Sequence, residues 1–323
     1  MNRFGSVSIH TPDRSSCFVL GCWIFLIASA CCLAQEPPAN VRAPQRWAVI
    51  LGGLPGDAEH AAPFRRMADT IQKWLSESQQ IPTEQILRLP IEAAAEAAAE
   101  ATAGEASSTP PTAEAIRTMF ADLNTKLRTD DALWVFTLGH GNYDGRHAWF
   151  HVAGKDLSSE DFGKWLADVP CREQVIWLTH SGSGWFVKPL SRPGRIVIAA
   201  TAADDESNET EFPWALATVV KSPVTSLDSD QDKAVSVAEL YDAVVNEVSR
   251  RFKHDGRLPT EHAQLDDNGD GAGIEDLNQT KSDDPSAAAP QVPPSKVDGD
   301  LARTTFIPYP DVEPEANEPP PAE

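Results

Sequence analysis

Apolar residues along this chain come in two rhythms. Short unbroken runs at 46–53, 86–89, 132–138, 174–178 and 195–201 each stop at small or polar residues. Such runs predict buried strands rather than strands with one wet face. Between them the apolar positions recur at helical spacing. Phe64, Met67, Ile71 and Leu75 share one face of a helix predicted over 60–78. Further helices are predicted over 112–127, 158–166, 186–190, 212–220 and 237–252, with Thr112 and Ser158 placed to cap theirs. Residues 149–152 read as a short edge element. Strands alternating with helices predict an α/β fold, a mainly parallel sheet flanked by helices on both faces. Ligands bind such sheets at the carboxyl ends of the strands. Gly52, Gly53, His140 and Ser181 all fall at those ends.

Outside this pattern the chain is of different composition. In residues 1–34, Arg3 and Arg14 precede an apolar stretch from Cys17 to Leu33. That is the layout of an export signal, with cleavage sites after Ala30 or Ala34. An uncleaved anchor and a lipid on Cys31 or Cys32 stay open as alternatives. The apolar run is short for a membrane span, and nothing later is long enough. Residues 35–45 form a Pro-rich linker. Residues 91–111 are Ala/Glu-rich and then Pro-rich, with almost no large apolar face, and read as a surface insertion. The domain proper is expected over 46–277. The remainder, 278–323, is acidic and Pro-rich and is expected to be disordered.

Charge and cysteine content narrow the classes. The 323 residues carry a formal net charge of −21, which argues against nucleic acid and anionic membrane surfaces as partners. It suits an exported protein, secreted or periplasmic. Four of the five cysteines lie in the signal. Cys171 alone can form neither an internal disulfide nor a cysteine-rich zinc site. It reads as a small buried residue.

Two strand ends carry the candidate chemistry. One delivers His140-Gly141, the other Ser181-Gly182-Ser183-Gly184. A histidine after one strand and a nucleophile ending the next resembles the caspase-like clan of caspases, metacaspases, gingipains and legumains. The resemblance covers roughly 46–275. It includes the 195–201 strand with its acidic loop and a closing segment at 260–271 similar to bacterial exported legumain-like members. It implies peptide-bond hydrolysis by His140 and the residue at 181, with the Gly141 N–H in an oxyanion hole. It implies no required cofactor, and a peptide or protein as substrate or ligand. Asp204, Asp205 and Glu206 stand where family members build a substrate pocket. Directed inward they would favour Lys or Arg; as a solvated turn they would say nothing of substrate.

The departure is Ser181 in the slot of the family's cysteine. A thiol loses its proton readily, whereas a serine hydroxyl needs a well-placed base held by a third group. No such acid for His140 is identifiable; Asp144 is near in sequence but on a loop. Proteolysis is therefore expected to be weakened or lost, with a non-catalytic peptide-binding or scaffold role as the alternative. A register with Thr179 in the slot competes with Ser181.

The last feature is acidic. Asp228, Asp230, Asp232, Ser236 and Glu239 occupy positions 1, 3, 5, 9 and 12 of an EF-hand-like loop over 228–239, followed by a helix. Calcium is compatible with this set. Lys233 stands where glycine normally makes the sharp turn. The other reading is an acidic loop capping the helix. A second start, Asp266 to Gly271, meets Leu277 where the bidentate Glu should be.

Overall fold

A computed structural model describes residues 42–91, 111–277 and 297–308. The expected export signal, most of the expected linker, the body of the expected insertion and the rest of the tail lie outside the described residues.

Five parallel strands form the centre. They are β1 (Arg46–Gly52), β2 (Ile86–Leu89), β3 (Ala132–Leu138), β7 (Glu173–Leu178) and β8 (Arg195–Ala199). A sixth, β10 (Gln264–Asp266), runs antiparallel beside β8, and the order across the sheet is β10-β8-β7-β3-β1-β2. The fold is thus the expected α/β class with a mainly parallel sheet, compatible with a caspase-like architecture. Register pairs Val49 with Val135 and Val135 with Ile176.

Side chains alternate across the sheet with period two. Ala48, Ile50, Trp134, Phe136, Val175 and Trp177 enter one core, while Val49, Leu51, Leu133, Val135, Ile176 and Leu178 enter the other. The first core is closed by α1 (Ala58–Lys73), α5 (Phe212–Val219) and α7 (Val237–His254). The second is closed by α2 (Ala113–Lys126), α3 (Ser159–Asp168) and α4 (Gly184–Leu190). Because both faces are covered, the strands must be apolar throughout, which is why the runs are unbroken.

Local chemistry sets the helix starts. The Thr112 hydroxyl accepts from the Ala115 N–H and the Ser158 hydroxyl from the Asp161 N–H, each at 3.1 Å. Asp57 caps α1 by accepting from the His60 N–H. The predicted 60–78 helix continues past Lys73 as one wider turn, Trp74–Ser78.

Four features were not foreseen, the antiparallel β10 among them. A small sheet of β4 (Gly141–Tyr143), β5 (Ala148–Phe150) and β6 (Leu157–Ser158) follows His140. The edge element expected at 149–152 belongs to it. A one-turn helix, α6 (Val224–Leu227), precedes the first acidic loop. Residues 297–308, inside the segment expected to be disordered, form α8 (Asp300–Thr304) and β11 (Phe306–Ile307). The β11 strand pairs with β9 (Val235–Ser236), and Ala302 and Ile307 are buried in the first core. No helix of the described residues is long and apolar enough to cross a membrane.

Candidate active site

The site is built where β3 and β7, adjacent and parallel, end side by side. After β3 the chain gives Gly139 and His140 and then turns into β4. After β7 come Thr179 and His180, then the turn Ser181–Ser183 that opens α4.

The two ends interlock through glycines. A Cβ on Gly141 would lie 2.5 Å from His180 Nδ1 and 2.9 Å from the Ser181 carbonyl oxygen, so no larger residue fits. Gly182 has φ +68°, the left-handed backbone that favours glycine, and a Cβ there would sit tightly, 3.3 Å from the Asn142 backbone. The His140–Tyr143 strand thus rests directly on the Ser181–Gly182 turn.

His140 is held by an acceptor that is not a side chain. Its Nε2 lies 3.1 Å from the Pro55 carbonyl oxygen. A carbonyl only accepts, so Nε2 carries the proton and Nδ1 is left as the basic nitrogen. Phe64 packs edge-on against the imidazole, with ring centres 5.4 Å apart. His60, also edge-on at 6.1 Å, is bound to Asp57 at 2.6 Å and lies 3.4 Å from Glu209. These contacts raise the pKa of His60, chiefly through the Asp57 hydrogen bond.

Ser181 is 5% exposed, and no hydrogen bond joins its hydroxyl to His140 or to any other described group. The competing candidate is fully committed elsewhere. Thr179 is buried, its hydroxyl donates to the Thr137 carbonyl at 2.5 Å, and its own carbonyl accepts from Thr210 at 2.6 Å. Ser183 is structural too: its hydroxyl accepts from the Ala200 and Thr201 N–H groups at 2.9 and 3.2 Å and so ties the turn to the end of β8. Of the three hydroxyls at this strand end, only that of Ser181 is uncommitted.

The Gly141 N–H takes no part in the pairing of β4 with β5. The His151 N–H donates to the His140 carbonyl at 2.9 Å. That makes Gly141 and Phe150 a non-hydrogen-bonded pair of the ladder, and the Gly141 N–H lies outside it.

His180 is a wedge rather than a second base. Its ring is buried between Phe150 and Phe186, with ring centres 5.0 and 4.9 Å away, and its Nδ1 donates to the Ser181 carbonyl at 3.0 Å. Burial pushes its pKa down to about 4, so it is neutral at pH 7, and its Nε2 has no partner. Asp144 does not support His140. It accepts from Trp149 Nε1 and from the Arg146 and His147 N–H groups, each at 2.8 Å, and these hold its pKa at about 2. His151 is half-buried and braces Asn142 at 2.9 Å.

The acidic loop after β8 divides in two. Asp204 and Asp205 are exposed. Glu206 turns inward: its carboxylate accepts from the Ala202 N–H at 2.7 Å and the His262 N–H at 3.0 Å, and binds the His262 ring. Its carbonyl accepts from the Gly182 N–H at 3.2 Å. Glu206 therefore joins the Ser181 turn to the closing segment.

The acidic loop over 228–239 brings three of its candidate ligands together. Ligand oxygens of Asp228, Asp230 and Asp232 lie within 4.8 Å of one another and could hold a divalent cation. Lys233 takes the left-handed conformation, φ +74°, that glycine would supply. Ser236 and Glu239 form a reciprocal capping box at the start of α7, and Glu239 also accepts from the Ser229 N–H and hydroxyl. The second loop repeats the pattern: the Asp266 carboxylate accepts from the Gly271 N–H at 2.8 Å, as Asp228 accepts from the Lys233 N–H at 3.0 Å.

Reading motifs for side chains could not find the Pro55 carbonyl. Nothing in the sequence places His60 beside His140 either. No family model matches the chain, and no curated protein matches it.

Proposed function

We propose that this chain is an exported peptidase homologue of the caspase and legumain type, with His140 as base and residue 181 in the nucleophile position. Its peptide-bond hydrolysis is weakened or lost because that position holds serine. One observation carries the reading: the Pro55 carbonyl fixes the His140 tautomer with Nδ1 as acceptor, at the strand end next to an uncommitted Ser181 hydroxyl. In hydrolysis the base takes the proton of the nucleophile, the nucleophile adds to the scissile carbonyl, and an N–H such as that of Gly141 steadies the oxyanion. A backbone carbonyl orients the imidazole but carries no charge to stabilise the imidazolium that forms. That suffices more readily for a thiol than for a serine hydroxyl.

A second reading rests on a separate observation. No hydrogen bond links Ser181 to His140, which favours a cleft that binds peptide segments without cutting them. A peptidyl electrophile separates the two. Under the first reading, Ser181→Cys protein is labelled at position 181, and labelling falls at least tenfold when His140→Ala is added. Equal labelling with and without His140 would sink the dyad and leave binding as the function.

A further inference from the structure

The starts of β1, β3 and β7, at the end of the sheet away from His140 and Ser181, border a cleft of about 530 Å³. Pro44 and Arg46 line it from the chain entering β1, Gln79, Ile81 and Pro82 from the turn that follows α1, and Pro308 from the segment after β11. Clefts of about 300–1,000 Å³ are the size that holds a ligand.

Two polar groups at this cleft are buried without a partner. Gln79 is 4% exposed, and neither the nitrogen nor the oxygen of its carboxamide is bonded among the described residues. Arg46 Nε is buried and unbonded as well. Leaving a buried amide unpaired is costly, and folded proteins nearly always supply its partner. The partner must bring a donor and an acceptor at one polar tip, with an apolar body for Ile81 and the three prolines. A phenol does both: its hydroxyl donates and accepts, and its ring packs on apolar surface.

The chain has three tyrosines. Tyr143 stacks on Trp185, and the Tyr241 hydroxyl donates to the Ala263 carbonyl at 3.0 Å. The third, Tyr309, directly follows Pro308, and it is the one aromatic residue in 278–296 and 309–323. Adjacent Cα atoms are about 3.8 Å apart, so the Tyr309 side chain starts at the edge of the cleft. The chain is fixed up to that point: β11 pairs with β9, and Arg46 Nη2 donates to the Phe306 carbonyl at 3.4 Å. Charge narrows the occupant further. Asp130 and Glu173 also border the cleft and repel Asp311, Glu313 and the acids beyond them, which leaves the uncharged Tyr309-Pro310 pair as the part that fits.

We propose that this cleft is the receptor for the Tyr309-Pro310 segment of the same chain, with the Tyr309 hydroxyl bonded to the Gln79 carboxamide. The docked pair ties the tail to the turn after α1 and to the start of β1. It uses neither His140 nor Ser181 and stands whether or not peptides are cut.

Hydrogen exchange on the full-length protein, read by mass spectrometry, tests this. The Gln79, Ile81 and Gln85 N–H groups donate to the Trp74, Leu75 and Pro82 carbonyls, so residues 79–85 report on the cleft wall. Tyr309→Ala should speed exchange across 79–85 at least about fivefold and leave 174–184 unchanged, which also shows that the variant is folded. Tyr309→Phe keeps the ring and should speed it about twofold. That increase should vanish in a Gln79→Ala background, where the hydroxyl has no amide to bond. Unchanged exchange across 79–85 in Tyr309→Ala would overturn the proposal and leave the cleft to another ligand. An equal increase across 174–184, or a Tyr309→Phe effect that persists without the Gln79 amide, would overturn it too.

Discussion

At the level of single residues, the two serines of the turn make opposite demands. The Ser181 hydroxyl has no partner, whereas that of Ser183 accepts from the buried Ala200 and Thr201 N–H groups. Ser181→Ala should therefore change stability by less than about 0.5 kcal/mol. Ser183→Ala should cost about 1–3 kcal/mol, because a buried donor loses its acceptor. Urea unfolding of both variants checks this, and equal losses would mean that Ser181 also has a structural bond. Cys171 gives a second expectation. Burial raises its thiol pKa to about 11, so it should resist alkylation at pH 8 in the native protein and react on unfolding, as read by mass-spectrometric mapping. Its burial was legible from its place at the start of an apolar strand. The support of His140 was not, because a backbone carbonyl contributed by Pro55, 85 residues away, has no sequence signature.

At the level of elements, the five parallel strands of the central sheet were readable because both faces are covered, so their apolar runs are unbroken, whereas the antiparallel β10, Gln264–Asp266, was not. The helices were readable from their spacing and from Thr112 and Ser158. The small elements were not: β4, β6, β9 and β11 are two or three residues long and exist through their partners. The 297–308 segment is the clearest case. Its Pro-rich and acidic surroundings predict disorder, yet β11 completes a ladder with the acidic loop and Ile307 is 2% exposed. Ile307→Ala should cost about 2–4 kcal/mol in chemical unfolding, the range for deleting buried methyl groups. A loss below about 0.5 kcal/mol would mean that the segment is not docked. Lys233→Gly works in the other direction. It replaces a side chain held at φ +74° by the residue suited to that backbone, and should raise stability by up to about 1 kcal/mol.

At the level of the whole molecule, buried ionisable groups set the dependence of stability on pH. Burial raises Glu261 to about 8 and Asp298 to about 7, with neighbouring carboxylates adding to both. Each keeps a proton in the fold that the unfolded chain releases near its ordinary value of 4.5 or 3.8. Their contribution is full below those ordinary values and is lost as pH rises through the folded ones. His180 acts oppositely: its folded pKa of about 4 lies below the ordinary 6.5, so its contribution is full above 6.5 and is lost as pH falls toward 4. Above pH 6.5 only the carboxyl effect remains of these three. The thermal midpoint should fall between pH 6.5 and 8, and Glu261→Gln should flatten that fall, with a gain on the order of 2 kcal/mol at pH 8. An unchanged slope in Glu261→Gln would show that the buried carboxyl is ionised in the fold.

The most direct measurement for the central claim is hydrolysis of a peptide library by full-length wild-type, Ser181→Ala, Ser181→Cys and Ser181→Cys/His140→Ala proteins. The geometry around His140 predicts weak or no cleavage by wild type and none by Ser181→Ala. It predicts clear cleavage by Ser181→Cys that disappears when His140 is removed. Ser181→Cys protein that folds, binds peptides and still cuts nothing would contradict the account, as would cleavage that persists without His140.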